Sequence, residues 1–170
     1  MTCHVLSCNV VCMKATSAVQ RELRQRRPFQ SVSQEAVVAL LRTTDLLRRR
    51  AAAVVEPAGI TLQQFNVLRI LRGSGEEGLP TLEVASRMVE QAPGVTRLLD
   101  RLEAKGLVRR QRCTKDRRQH LCWITQAGLA LLTELDGPVH RSGREGLKGL
   151  SESEQRALVR LLDAVRAELD

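Results

Sequence analysis

Ala36, Val37, Leu40, Leu41, Leu47, Ala51, Val54 and Val55 recur at three- and four-residue steps before Pro57. This spacing lines one face of a period-3.6 helix and predicts about 25 helical residues, capped near Ser33. A helix of that length in a small protein is a candidate partner interface. Thr61 and Gln64 form a capping box ahead of Phe65, Val67, Leu68 and Leu71, so a second helix runs to Gly73. Thr81 then opens a short helix through Met88, and Glu90–Pro93 turns the chain. Pro93 suits the first turn of a further helix, with apolar positions Val95, Leu98, Leu99 and Leu102 and a stop at Gly106.

Beyond Gly106 the period shortens. Leu107–Cys113 and His120–Thr125 read as two strands joined by Thr114–Gln119, a hairpin with a charged tip. Helix resumes after Thr125 with Leu129, Leu131, Leu132 and Leu135, and an interruption is expected around Gly137–Pro138. Ser151 and Glu154 form a second capping box ahead of Leu158, Leu161, Leu162, Val165 and Leu169. Residues 1–30 sustain no apolar period and are expected to be partly disordered; Met13 is an alternative start. The fold class is therefore mostly α with a small β-hairpin (α+β).

Composition narrows the partners. The 170 residues carry 27 Lys plus Arg against 19 Asp plus Glu, a net charge of +8. Twenty-three of the cations are Arg, the exceptions being Lys14, Lys105, Lys115 and Lys148. Such a balance favours a polyanion, either nucleic acid or an anionic membrane surface. Aromatic residues make up only 2 %, too few for a protein that stacks single-stranded bases, so a duplex is the expected ligand. No run of 18 apolar residues predicts a transmembrane helix. The first dozen residues lack the basic leader and apolar core of a secretory signal. Five cysteines, Cys3, Cys8, Cys12, Cys113 and Cys122, show no disulfide-framework spacing, which fits a reduced, cytoplasmic protein.

Helix, short helix, turn, helix and basic hairpin, in that order, make a winged helix-turn-helix. The second helix of the pair can enter a major groove with its N-terminus toward phosphates and bases. Its candidate contacts are Gln91, Pro93, Gly94, Thr96 and Arg97. The hairpin concentrates Arg109, Arg110, Arg112, Lys115, Arg117 and Arg118 against Asp116 alone, a density that repels itself unless a polyanion lies beside it. Asp116 can brace Arg118 while Arg117 or Lys115 projects toward a minor groove.

The run Pro93-Gly94-Val95-Thr96-Arg97-Leu98-Leu99-Asp100-Arg101-Leu102-Glu103-Ala104-Lys105-Gly106-Leu107-Val108 resembles the MarR family of bacterial regulators. Asp116-Arg117-Arg118 matches that family's Asp-x-Arg wing. Ile124-Thr125-Gln126-Ala127-Gly128 matches the Leu-Thr-x-x-Gly that follows it. The resemblance covers residues 60–128; residues 33–59 and 129–170 match in helix pattern and order. It implies a homodimer with interlocking N- and C-terminal helices, in which residues 31–59 and 129–170 dimerise and 60–128 form the DNA-binding lobe. It implies a repressor on a pseudopalindromic operator, with Pro93–Arg97 in the major groove and Arg117 and Arg118 at the wing. It further implies release by a small, often aromatic, effector held between the dimerisation helices and the lobe. The Cys-bearing N-terminal extension departs from the family pattern.

Competing chemistry is weaker. Gly73-Ser74-Gly75-Glu76-Glu77-Gly78 matches Gly-x-Gly-x-x-Gly, but it follows a helix and places two Glu where a pyrophosphate needs donors. Cys3, His4, Cys8 and Cys12 could chelate zinc only in a segment expected to be disordered. No His/Cys/carboxylate set has metal-ligand spacing within one element, and no Ser-His-Asp arrangement is recognisable, so neither an enzyme nor a cofactor is expected. Cys113 and Cys122 flank the hairpin tip and are expected to lie opposite each other, which leaves a redox-responsive repressor as an alternative. A non-specific basic DNA-binding or interaction module is the other alternative.

Overall fold

The computed structural model describes residues 17–90, 94–113 and 119–169. The chain divides into two compact units with the boundary after Asp45. In the first, Ser17 caps a short helix α1, Ala18–Glu22, by accepting the Gln20 N–H, and Val19 is buried. Residues 17–30 therefore include a capped helical turn that the missing apolar period did not predict. Five residues are too few to reveal a period. The expectations for residues 1–16 lie outside the described residues. Helix α2, Val32–Val55, begins two residues early. Ser31, not Ser33, is the cap and accepts the Gln34 N–H, at 3.1 Å, which leaves Ser33 inside the helix.

The second unit holds the lobe. Pro57 ends α2 in a single 3-10 turn, and Gly59 reverses the chain at φ +75°. The Thr61–Gln64 capping box opens α3, Leu62–Gly73, with both reciprocal bonds in place. Helices α4, Thr81–Ser86, and α5, Val95–Ala104, follow, with strand β1, Leu79–Pro80, ahead of α4. Strands β2, Val108–Arg112, and β3, His120–Ile124, lead into α6, Gln126–Gly146, and α7, Glu152–Ala167. Ser151 and Glu154 close the capping box of α7. The core is continuous: Phe65, Leu68, Leu71, Leu99, Leu102 and Leu132 belong to one buried cluster drawn from α3, α5 and α6. Arg72 of α3 clamps Asp136 of α6 through bonds of 2.6 and 3.3 Å. That hydrogen bonding holds the Asp136 carboxyl below its ordinary range.

Three details differ from expectation. The sheet has three strands in the order β1-β3-β2, all antiparallel. At two residues β1 is too short to show alternation, and Pro80, which has no N–H to donate, suits its edge position. Thr81 does not cap α4; it lies inside the helix, and its hydroxyl donates to the His120 carbonyl at 3.4 Å. Helix α6 runs unbroken through Pro138. One hydrogen bond is missing there, but Leu132 and Leu135 before the proline and Val139 after it pack on the same core. Burial on both sides holds the axis together.

The loop after α3 is shaped by one aromatic ring. Gly78 sits at φ +71°, and a Cβ there would lie 2.4 Å from the Trp123 indole. The Trp123 Nε1–H donates to the Glu76 carbonyl at 2.9 Å. Gly78→Ala should therefore add left-handed strain to an overpacked contact, costing about 2–4 kcal/mol in urea denaturation. A loss below about 0.5 kcal/mol, with Trp123 fluorescence unchanged, would show that the ring is not seated on this glycine.

Candidate nucleic-acid interface

Helix α5 starts without a side-chain cap. Gly94 is its N-cap at φ +100°, and its carbonyl receives the Arg97 and Leu98 amides at 2.9 and 3.3 Å. A side chain at this φ would be strained, so glycine is needed to turn the chain into the helix. The first-turn N–H groups are left to solvent or to an anion. Val95, Leu99 and Leu102 face the core, while Gly94, Thr96 and Arg97 are exposed together. The predicted contacts Gln91 and Pro93 lie outside the described residues. Arg101, one turn beyond Arg97 and also exposed, extends the same face. The i, i+4 spacing of the two arginines could have revealed it from sequence.

The six cations of the hairpin do not act alike. Arg110 is turned inward: its backbone N–H and Nε donate to Glu103 at 3.0 and 2.9 Å, and its Nη2 reaches Glu103 and Asp100, each at 2.6 Å. Burial works against its charge, but the hydrogen bonds to the two carboxylates outweigh that and raise its pKa. Arg109 lies over the Trp123 ring at 4.1 Å, a cation–π contact across the β2–β3 pair. Arg112, at the outer end of β2, is exposed and forms no ion pair among the described residues. The ladder runs one bond further, from the Cys113 N–H to the Gln119 carbonyl at 3.0 Å. Lys115, Asp116, Arg117 and Arg118, with the proposed Asp116–Arg118 brace, lie outside the described residues.

Between α4, the start of α5 and β3 lies an open groove of about 650 Å³, lined by Thr81, Leu82, Thr96, Arg110 and His120. Leu82 is 82 % exposed on its wall, and the sequence reading passed over it. Its signal was an apolar residue off the face defined by Val84 and Met88. A separate apolar cleft of about 260 Å³ is bordered by Ala51, Leu62, Phe65, Met88, Val89 and Val139.

The two cysteines are not opposite each other. Cys122 pairs with Arg110, and Cys113 is bonded to Gln119, an offset of three residues along the ladder. Three residues span about 10 Å and put the side chains on opposite faces, beyond the reach of a disulfide. Cys122 is fully buried, and burial pushes its thiol pKa up. The expected opposition of the two cysteines is thereby corrected, and the apolar site of Cys122 disfavours its thiolate. The Gly-rich loop is likewise no phosphate cradle, since Gly73 ends α3, Gly75–Glu77 form a 3-10 turn and Gly78 receives Trp123. Among the described residues no His, Cys, Asp and Glu group could hold a metal ion. No described helix is long and apolar enough to cross a membrane.

Helix-turn-helix, three-stranded wing and flanking helices define a winged helix-turn-helix protein. The MarR family model matches residues 60–120. The HTH-type transcriptional regulator TtmR of Methylorubrum extorquens (strain PA1) is 34 % identical over 140 residues, spanning 82 % of this chain and 70 % of TtmR. A MarR transcription factor from Planctomyces limnophilus is 38 % identical, with a TM-score of 0.63 over 81 % of this chain and 99 % of its own. Sco3205 of Streptomyces coelicolor, a MarR-family regulator solved in complex with DNA, shares the fold at 20 % identity and a TM-score of 0.74. That match covers 86 % of this chain and 93 % of Sco3205. The chain belongs to the MarR family, a family of transcriptional regulators rather than enzymes.

Arg110→Ala should cost about 1.5–3 kcal/mol, because it leaves two carboxylates facing each other at the base of the wing. In a Cys3, Cys8 and Cys12 to Ser background, a thiol reagent should label Cys113 in the folded protein and Cys122 only after unfolding. Equal labelling rates for both would contradict the burial of Cys122.

Proposed function

We propose that this chain is a cytoplasmic, homodimeric transcriptional repressor that binds a pseudopalindromic operator. The carrying observation is the uncapped N-terminus of α5, entered at Gly94 and flanked by exposed Thr96 and Arg97, beside a hairpin anchored to the same helix. In this reading Gln91, Pro93, Gly94, Thr96 and Arg97 meet the major groove. Arg112, Lys115, Arg117 and Arg118 serve phosphates and the minor groove, with Asp116 bracing Arg118. The complexes of Sco3205 and of the Staphylococcus aureus regulator MepR with DNA support a duplex as the ligand of this fold.

Residues 60–128 act as the duplex-binding lobe, and residues 31–59 and 129–170 hold two copies together. Val37 and Leu41 of α2, and Val159, Leu161 and Val165 of α7, are large apolar side chains exposed in the single chain. A second copy covering them removes that surface from water. The cleft beside Phe65 and Met88 is the proposed effector site. Its volume of about 260 Å³ exceeds the roughly 150 Å³ in which an apolar cavity holds benzene, so a small aromatic fits.

Arg97→Ala should weaken binding by about 1–3 kcal/mol on the preferred sequence and less on scrambled duplex, if Arg97 reads a base. Arg118→Ala should weaken binding to every duplex and reduce the salt slope by about 0.9. Equal losses from Arg97→Ala on all sequences would demote it to a positioning contact, and indifference to sequence in the parent protein would favour a non-specific binder. Replacing Leu161 and Val165, 66 % and 46 % exposed, by Glu should leave the monomer folded but halve the mass measured by light scattering. Persistence of a dimer would remove α7 from the interface.

A further inference from the structure

Leu82 stands in the first turn of α4 with 82 % of its surface open, and the proposed operator contacts do not use it. Val84, two residues on, is fully buried. Two residues rotate a helical side chain by about 200°, so burial of Val84 turns Leu82 outward. The turn itself is held in place, because the neighbouring Thr81 hydroxyl donates to the His120 carbonyl of β3 at 3.4 Å. Leu82 lines the open groove of about 650 Å³ together with Thr96 of α5. The charged groups there are already paired: Arg110 with Glu103, and Glu83 with Arg87. Among the described residues lining the groove, Leu82 is the exposed large hydrophobic.

The groove's place in the fold says what covers this leucine. None of its described lining residues comes from α2, α6 or α7, so the apolar faces proposed to join two copies do not border it. Thr96 does border it, and Thr96 is exposed in the first turn of α5 beside Gly94 and Arg97. A duplex that takes the start of α5 into its major groove therefore comes against Leu82 as well. The apolar group that a base pair presents in that groove is the C5 methyl of thymine, whereas cytosine presents an amino donor that leucine cannot accept. We propose that Leu82, together with the Thr96 methyl, receives the C5 methyl of one thymine in each operator half-site. Leu82 is thereby a specificity-determining residue contributed by α4. This contact rests on the duplex-binding function proposed above.

The test uses the full chain and an operator recovered from random duplexes, with affinity read by fluorescence anisotropy. Each thymine fixed by the selection is replaced in turn by deoxyuridine, which deletes the methyl and keeps the base pair. At one position of a half-site the parent protein should lose about fourfold in affinity, the effect of one buried methyl. Leu82→Ala, at an exposed position, should keep the parent's thermal transition and bind the thymine and deoxyuridine duplexes equally at that position. Its salt slope should match the parent's, because no phosphate contact is lost. A deoxyuridine penalty that Leu82→Ala keeps in full, or no deoxyuridine penalty at any position, would overturn the contact. So would a loss from Leu82→Ala that is equal on thymine and deoxyuridine duplexes with the parent's penalty intact, since the leucine would then pack on sugar rather than on the methyl. A parent protein that binds no duplex would refute the proposed function, and the thymine contact with it.

Discussion

Arg110, with a side chain only 19 % exposed, reaches two carboxylates of α5 at once, and through it the sheet is fastened to that helix. A wing and a helix that meet separate parts of one duplex must keep a fixed spacing, since misplacement by an ångström forfeits paired contacts. A guanidinium shared between two carboxylates sets that spacing better than an apolar contact, because its planar geometry restricts angle as well as distance. The clamp also explains why Asp100 and Glu103, acids in a basic region, stand on α5.

Around the clamp the cations divide into structural and available groups. Arg110 neutralises acids, Arg109 covers an indole, and Arg72 ties α3 to α6. Arg97, Arg101 and Arg112 form no ion pair among the described residues. The formal charge of +8 therefore overstates the density of any one surface and understates how locally the free charge is placed.

Trp123 links the loop after α3 to the sheet. Its ring closes on Gly78, its N–H satisfies the Glu76 carbonyl, and Arg109 covers it. A motif that reads as a nucleotide cradle thus becomes a seat for an aromatic side chain. Apolar surface follows a similar division. Leu68, Leu99 and Leu132 are sealed inside one chain, whereas Leu161 and Val165 are exposed on α7.

Periodicity and capping made the long elements legible. The capping boxes at Thr61 and Ser151, the buried stripe of α5 and the two main strands all follow from local spacing, because a helix or strand announces its face within a few residues. The start of α5 was not: Pro93 was expected in its first turn, whereas the helix begins at Val95 with Gly94 as its N-cap. Elements too short to show a period were not: α1 and the two-residue β1 exist because neighbouring segments pair with or enclose them. The continuity of α6 through Pro138 likewise depends on burial either side of it. Tertiary structure alone decided which arginines are free, that Cys113 and Cys122 are out of register, and that Trp123 fills the glycine loop. The order of residues along a chain encodes local conformational preference, whereas charge pairing and strand register depend on groups that folding brings together from distant positions.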